Sequence, residues 1–152
     1  MTIYFYKVEA PYGCFSNFSP HSIYLNGQDW LTVEHYYQAQ KFVGSVNERL
    51  IDLIRSAKTA QEAANLGRDP SLQLRPDWEE VKIAIMRAGV LTKFVTHVDI
   101  QGILLSTGDR AIVEDSPTDY YWGCGSNKTG QNHLGKILMS VRLEISLRSC
   151  KG

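Results

Sequence analysis

The order of apolar and polar residues predicts a few short strands near the start of the chain. Ile3 to Tyr6 is a β-branched and aromatic run that is typical of a strand. Two further apolar runs, 23–25 and 28–31, flank Asn26-Gly27, the dipeptide that best tolerates the positive φ angles of a two-residue hairpin turn. We therefore expect one strand followed by an antiparallel hairpin, and a last short strand at 111–113.

Helical spacing accounts for the middle of the chain. Thr32 is a suitable N-cap for a helix over 32–42. The segment 46–58 predicts an amphipathic helix whose buried stripe is Val46, Leu50, Leu53, Ile54 and Ala57. Thr59 and Glu62 have capping-box spacing, and Gly67 is suited to end the short helix that follows in a left-handed conformation.

Three more helices are predicted in the second half. Asp77 would cap a helix that runs to about Thr96 and buries Trp78, Val81, Ile85, Ala88 and Val95. Asp99 would cap a helix over 100–106 that stops at Thr107-Gly108. The last helix, from Leu134 to about Leu147, would bury Leu134, Ile137, Leu138, Val141 and Ile145. Residues 114–133 hold three glycines and Pro117, which indicates a long loop.

These elements predict an α+β, mostly helical fold of about five to six helices around one core, with a small sheet based on the antiparallel hairpin. The length of 152 residues fits a single domain over 1–152. Hydrophobic residues make up 43% of the chain, which is too many for a disordered protein. We read no signal peptide and no membrane span, so a cytoplasmic location is expected.

Charge and cysteine usage exclude several classes of protein. The 16 Lys and Arg residues balance the 16 Asp and Glu residues, so a nucleic-acid backbone is not expected as the main partner. Cys14, Cys124 and Cys150 are far apart and form no Cys-x-x-Cys pair, which supports neither a disulfide framework nor a thiolate zinc site. Cys124 lacks an identifiable adjacent base and is a poor candidate nucleophile.

Glu34, Gln38 and Lys41 are the first candidates for chemistry. Their spacing places a carboxylate, an amide and an amine on one side of the predicted helix. One interpretation is a solvated polar face. The other is a carboxylate that neighbouring aromatic residues desolvate, which raises its pKa toward the range useful for general acid or base catalysis.

The histidines do not predict a metal site. His35 has no second histidine at metal-ligand spacing, since His21, His97 and His133 are scattered. A hydrogen-bonded histidine of the core or its rim is the alternative to a ligand-binding His35. We expect no metal and no cofactor. Arg68, Arg75, Lys82 and Arg142 are candidates for binding a phosphate, although each is also an ordinary surface charge.

Two loops combine aromatic rings with polar groups. Asn17 and Phe18 suit recognition of a heterocyclic base, and packing of the loop against its own domain is equally plausible. The loop 114–125 sets carboxylates, including Asp119, beside stacking rings and glycines that allow a ligand close to the backbone. Glu34 paired with an acid on this loop would suit cleavage of a glycosidic bond.

Ordered blocks of residues resemble the NADAR, or YbiA-like, N-glycosidases over nearly the whole chain. The blocks are Phe15-Ser16-Asn17-Phe18; Thr32 to Phe42; Leu66-Gly67-Arg68; Arg75 with Asp77-Trp78-Glu79; Val113-Glu114 with Ser116-Pro117; Asp119 with Trp122-Gly123; and Gly130, Asn132, Leu134-Gly135 and Leu138-Met139. Leu31 departs from the pattern, where the family has proline, and this concerns only the join between hairpin and helix.

The resemblance implies a YbiA-like fold and hydrolysis of the N-glycosidic bond of phosphorylated ribosylamino-pyrimidine intermediates of riboflavin biosynthesis, with release of ribose 5-phosphate. It implies that Glu34, Asp119 and Trp122 are essential, with Lys41 as a further catalytic candidate. Lys41 would either form a Schiff base with C1′ or act through its charge. The expected substrate-binding residues are Trp122, Asn17, Phe18, His35, Gln38, Arg68 and Gly123.

Two alternatives from other classes remain. One is a glycohydrolase that removes ADP-ribose from guanine, with nucleic acid involved only as a modified-base substrate. The other is a module that binds ADP-ribose or NAD without cleaving it. Glu34, Lys41 and Asp119 together favour catalysis, because binding a base and a phosphate gives little reason for two carboxylates nearby.

Overall fold

A computed structural model describes residues 1–151 of the chain, with side chains as far as Cys150. In chain order the elements are β1 (Ile3–Phe5), β2 (Ile23–Leu25), β3 (Gln28–Trp30), α1 (Val33–Gln40), α2 (Leu50–Arg55), α3 (Ala60–Gly67), α4 (Trp78–Thr96), α5 (Val98–Ser106), β4 (Ile112–Glu114) and α6 (His133–Lys151). The predicted mostly helical α+β class is confirmed. None of the described helices combines the length and the apolar character that crossing a membrane requires.

The elements fall into two units. We call residues 20–93 the central unit and residues 1–19 together with 94 onward the terminal unit. The central unit contains the hairpin, helices α1 to α3 and most of α4. The terminal unit contains β1, β4, α5 and α6.

The hairpin of the central unit is confirmed. Strands β2 and β3 pair antiparallel with Ile23 opposite Trp30, and Asn26 and Gly27 have φ angles of 55° and 78°. The Trp30 indole donates to the carbonyl of Leu25 at 3.0 Å and packs edge-on against Tyr36 at 5.9 Å between centroids. The hairpin is thereby attached to α1, the helix that carries the predicted polar stripe.

Helix α1 is buried along its whole length. Thr32 caps it as predicted, since its hydroxyl accepts the backbone N–H of His35. Helices α2 and α3 and strand β3 all pack against α1. Burial extends to the polar residues Glu34, His35, Gln38 and Gln40, and such residues require specific partners inside a protein.

Helix α2 is shorter than predicted and buries fewer residues. It spans only Leu50–Arg55, and the predicted stripe residues Val46 and Leu53 are exposed, at 72% and 54%. Asn47 explains the late start, because its backbone N–H donates to the Ser45 hydroxyl and its side-chain amide donates to the Gln73 carbonyl. Such side-chain bonds to the backbone compete with helix formation.

Helix α3 begins as predicted, with the Thr59 hydroxyl accepting the backbone N–H of Glu62. The expected left-handed stop at Gly67 is wrong. Gly67 is the last helical residue of α3, and the left-handed glycines of the chain are elsewhere.

The predicted extent of α4 is confirmed, but its predicted buried face is wrong. Of the expected stripe only Trp78 is fully buried, and Val95 is 43% exposed. Besides Trp78, the buried residues are Met86, Gly89, Val90, Lys93 and Phe94. Apolar residues occur around most of this helix, so their spacing does not single out one face.

The terminal unit contains a strand pair that the sequence did not predict. β1 and β4 are parallel, with Ile3 opposite Ile112, and they form a two-stranded sheet that is separate from the predicted hairpin. The predicted antiparallel hairpin is thus present, and the parallel pair is an addition to it. A parallel pair joins distant segments, here more than a hundred residues apart, and leaves no local turn signal in the sequence.

Helices α5 and α6 complete the terminal unit. The predicted cap of α5 at Asp99 is wrong, because α5 begins at Val98 with His97 as N-cap. Its predicted end is confirmed by Thr107 as C-cap and by Gly108 at a φ of 65°. All five predicted core residues of α6 are buried, and α6 packs against β4 and α5.

Candidate active site

Glu34 is a buried carboxylate in the first turn of α1. Only 4% of the residue is exposed, and Gln38, one turn later, donates its side-chain amide to Glu34 Oε1 at 3.2 Å. The Arg68 guanidinium lies 3.9 Å from the same oxygen. A buried carboxylate requires such partners, and Glu34 has the Gln38 amide, the positive charge of Arg68 and the positive end of the α1 dipole.

The contact with Glu34 leaves the oxygen of the Gln38 side-chain amide unsatisfied. Gln38 Oε1 is buried and meets no hydrogen-bond donor among the described residues. Leaving a buried acceptor unsatisfied costs about 1–3 kcal/mol. The Gln38 amide is therefore held toward Glu34 at a cost in stability, which is typical of a functional site.

Lys41 is the second ionisable group on this face of α1. Its ammonium donates to the carbonyl of Gly67 at 3.2 Å and lies 5.6 Å from the centre of the Tyr37 ring. The pKa of Lys41 is lowered to about 8, mainly by burial; the charge of Glu34 opposes this shift, and the charges of Arg68 and Lys82 add to it. A larger share of this amine is neutral near pH 8 than for a solvated lysine.

The structure brings the predicted stripe together. Glu34 and Gln38 are in contact, Arg68 faces Glu34, and the charge of Glu34 acts on Lys41. Tyr37 of α1 packs against Trp78, the first residue of α4, with the ring centroids 5.2 Å apart. Of the two interpretations of the stripe, the solvated polar face is wrong, because Glu34 and Gln38 are almost inaccessible to water.

Both ring nitrogens of His35 form hydrogen bonds with other groups of the protein. Nδ1 is 2.8 Å from the Thr32 hydroxyl and Nε2 is 2.9 Å from the Ala57 carbonyl. Burial lowers the pKa of His35, so the ring is neutral and its Nε2–H donates to Ala57. His35 therefore matches the hydrogen-bonded core histidine, one of the two alternatives that the sequence left open.

The other phosphate candidates differ in their surroundings. Arg75 forms a two-pronged bond to Asp77 and also donates to the Gln40 carbonyl. Lys82 pairs with Glu79. Arg142 is buried and donates to the Thr107 hydroxyl and the Arg110 carbonyl, at 2.9 and 2.8 Å, so its role is internal. Arg68, with 55% of its side chain exposed, is the most accessible of the four.

In the terminal unit, Asp119 shapes the long loop. Its Oδ1 accepts the backbone N–H groups of Tyr121 and Trp122 at 2.9 and 2.7 Å, and its own N–H donates to the Ser116 hydroxyl. This Asx turn orients the Tyr121-Trp122 pair. One carboxylate oxygen of Asp119 is thus committed to the loop.

Trp122 belongs to an aromatic cluster. Its ring lies 4.9 Å from Tyr121 in an edge-on arrangement, and His133 lies 4.4 Å from Tyr121. Backbone bonds from His133 to Tyr121 and from Leu134 to Trp122 attach the loop to the start of α6. The sequence did not predict the contact of Tyr121 with His133, since it joins residues twelve positions apart without a periodic signal.

Gly123 and Cys124 are buried behind this cluster. A Cβ at Gly123 would lie 2.8 Å from the Glu114 carbonyl oxygen, so only glycine fits there. Burial and the nearby Asp115 carboxylate raise the pKa of the Cys124 thiol. A raised thiol pKa disfavours the thiolate, which agrees with the rejection of Cys124 as a nucleophile.

The loop with Asn17 and Phe18 follows a 3₁₀ turn at Gly13–Phe15 in the terminal unit. Phe15 is a core residue that packs edge-on against Phe5 and Phe94. Asn17 and Phe18 are half-buried, and the Phe18 backbone N–H donates to the Ser16 hydroxyl. The loop therefore packs Phe15 inward and leaves Asn17 and Phe18 partly accessible.

Comparison with known proteins adds a family to this geometry. The model of the NADAR domain matches residues 4–146. The chain is similar to N-glycosidase Npun_R5314 of Nostoc punctiforme, with 65% identity over 95% of this chain and 93% of that protein. It is 40% identical to N-glycosidase YbiA of Escherichia coli, over 95% of this chain and 89% of YbiA.

Two further similarities concern the fold and a longer protein. The solution structure of Escherichia coli YbiA matches with a TM-score of 0.91 and 38% identity, over all of this chain and 89% of that one. The riboflavin biosynthesis protein PYRR of Zea mays is 44% identical over 94% of this chain, which corresponds to 25% of that protein.

Proposed function

The chain belongs to the NADAR domain family, whose relatives named above include N-glycosidases, and from this premise we propose its substrate and the roles of its residues. The substrate is a phosphorylated ribosylamino-pyrimidine of the riboflavin pathway, and the products are the free aminopyrimidine and ribose 5-phosphate. Two relatives named as riboflavin biosynthesis proteins, from Zea mays and Vibrio vulnificus, support this substrate class.

The observation that carries the catalytic proposal is the placement of Glu34 in the first turn of α1 and of Lys41 at its C-cap, where the charge of Glu34 acts on the amine. Glu34 is a buried carboxylate that accepts a bond from Gln38, and Lys41 is an amine whose pKa is lowered to about 8. A proton acceptor and an amine that loses its proton near neutral pH are the two groups that imine chemistry needs.

In the proposed reaction, Lys41 first gives up its proton to Glu34. The ribosylamine ring opens to an imine, and the neutral Lys41 amine adds to C1′. Glu34 then donates the proton to the departing pyrimidine nitrogen, the C1′–N bond to that nitrogen breaks, and a Lys41 imine remains. Water adds to this imine and releases ribose 5-phosphate, which regenerates the Lys41 amine.

The remaining roles are assigned by chemistry. Asp119 would bind sugar hydroxyl groups or stabilise positive charge at C1′, and Trp122 would stack on the pyrimidine. Arg68 is assigned to the phosphate, because its guanidinium is accessible and its five donors match phosphate oxygens. Asn17, Phe18, Gln38 and Gly123 complete the expected binding residues.

The test is release of sugar from purified protein, without added metal, followed by mass spectrometry. One reaction contains the ribosylamino-pyrimidine phosphate and the other contains ADP-ribosylated guanosine. Ribose 5-phosphate from the first, lost in Glu34→Ala, supports the proposal. Release of ADP-ribose from the second alone would transfer the function to the guanine branch, and binding without cleavage would indicate a sensor module.

A further inference from the structure

Gly67, the last residue of α3, has no left-handed conformation to explain it. It is helical, and Arg68 follows as the C-cap. Glycine inside a helix is less favourable than alanine. The reason for glycine at this position must therefore be a close approach of neighbouring atoms.

Those neighbouring atoms belong to Gln38. A Cβ on Gly67 would lie 2.1 Å from Gln38 Oε1, and 2.8 Å from both Gln38 Cβ and Gln38 Cδ. A rotation of the side chain could move the amide away, but it could not move Gln38 Cβ, which is fixed to the backbone of α1. A methyl group at residue 67 would therefore push the end of α3 away from α1.

The same residue contacts Lys41 through its backbone. The Gly67 carbonyl accepts the hydrogen bond from Lys41 Nζ at 3.2 Å. This carbonyl belongs to the C-terminal end of a helix, where the dipole attracts a cation. One residue of α3 thus contacts both the amide that binds Glu34 and the amine of Lys41.

We propose that Gly67 is a positioning residue: its missing side chain sets the approach of α3 to α1 at which Gln38 reaches Glu34 and Lys41 reaches the helix end. The inference rests on the proposed function in so far as Glu34 and Lys41 carry the reaction. The contacts themselves can be measured without any substrate.

The experiment is an NMR titration of Lys41 in protein labelled at its lysine side chains, with the signal assigned by its loss in Lys41→Met. In Gly67→Ala we expect the pKa of Lys41 to rise from about 8 toward its ordinary value of 10.5, because burial is the main cause of the lowered value. We also expect turnover to fall by about 10²-fold, as for a displaced catalytic group.

Two controls separate positioning from a general effect on the fold. Gly102→Ala, on α5, introduces the same methyl group where nothing lies within 4 Å, and it should leave both the Lys41 titration and turnover unchanged. In a Gln38→Gly background the atoms nearest to the new methyl group are gone, so adding Gly67→Ala should not shift the pKa of Lys41 further.

An unchanged or lower Lys41 pKa in Gly67→Ala would overturn the proposal, as would the same rise in the Gln38→Gly background. If the Lys41 pKa differs between the wild-type protein and the variants as expected, but the wild-type protein does not cleave the ribosylamine, the proposed function fails and the positioning role stands. If it cleaves the ribosylamine and the titrations do not differ, only the positioning role fails.

Discussion

Lys41 is the residue whose environment most directly connects structure with chemistry. Lys41 is half-buried, its amine is influenced by the charges of Arg68 and Lys82, and it donates to the Gly67 carbonyl. Burial and the positive charges of Arg68 and Lys82 outweigh the opposing charge of Glu34, so the amine loses its proton at a lower pH than a solvated lysine. A nucleophilic role requires this property, and a purely electrostatic role does not.

Replacing Lys41 by arginine separates these roles, because arginine keeps the positive charge and lacks an amine that deprotonates. We expect Lys41→Arg to lose turnover by about 10³-fold or more, and borohydride to trap a sugar adduct on the wild-type protein alone. Lys58→Arg, at an exposed position of the same unit, is the control and should retain full activity. Full turnover by Lys41→Arg would exclude the imine route.

The same assignment predicts a pH dependence. The proposed reaction starts from ionised Glu34 and protonated Lys41, so kcat/KM should fall about tenfold per pH unit above pH 8, where Lys41 loses to solvent the proton that Glu34 must deliver. A kcat/KM that keeps rising above pH 8 would contradict the transfer of the Lys41 proton to Glu34.

At the scale of single residues, the sequence predicted which side chains share one face of a helix. The spacing of Glu34, Gln38 and Lys41 was enough to place them on a common face, because helical geometry is regular. The role of Gly67 was not predictable in the same way. Its close approach to Gln38 is a contact between helices, and the spacing within α3 suggested only a helix end.

Helix α1 is held in place as an element by His35. The ring connects the N-cap residue Thr32 with the Ala57 carbonyl at the end of the segment that follows α2. Both bonds are buried, so a partner that loses its bond to His35 would have no water molecule to replace it. The position of Glu34, one residue before His35, depends on this connection.

His35 also predicts how stability changes with pH. Its pKa is lowered in the folded state, so the unfolded chain binds the proton first as the pH falls below about 6.5. The wild-type protein should therefore lose stability between pH 7 and pH 5. His35→Gln should be less stable at pH 7.5 by about 1–3 kcal/mol and lose less on acidification.

Urea denaturation at several pH values measures this, with His97→Gln as the matched histidine variant. His97 is half-buried at the start of α5 and should leave the loss on acidification unchanged. A loss in His35→Gln equal to that of the wild type would show that another group causes it.

The sequence predicted elements whose signals are local. The Asn26-Gly27 turn and the Thr32 and Thr59 caps depend on a few adjacent residues, and all three are confirmed. The late start of α2 was not predictable, because Asn47 bonds to the distant Gln73 carbonyl. The parallel pairing of β1 with β4 likewise depends on the tertiary fold.

On the scale of the whole molecule, Arg142 connects distant parts of the terminal unit. From the middle of α6 it donates to Thr107, the C-cap of α5, and to the carbonyl of Arg110 just before β4. A buried guanidinium with two such acceptors is structural rather than available for a phosphate. Its bonds join residues more than 30 positions apart.

We expect Arg142→Met to lower the free energy of unfolding by about 2–4 kcal/mol, because two acceptors lose a charged donor. Arg148→Met is the control on the same helix. Its exposed pairing with Glu144 should contribute no more than about 0.5 kcal/mol. Chemical denaturation measures both, and equal stabilities of the two variants would contradict the structural role of Arg142.

The central claim for the molecule is that Glu34 transfers the proton that cleaves an N-glycosidic bond. The most direct test compares initial rates of ribose 5-phosphate release from the ribosylamino-pyrimidine phosphate by the wild-type protein and by Glu34→Gln. The account predicts one aminopyrimidine for each ribose 5-phosphate, and a loss of about 10²–10⁴-fold in the variant, which still folds and binds. Equal rates for the two proteins would contradict it.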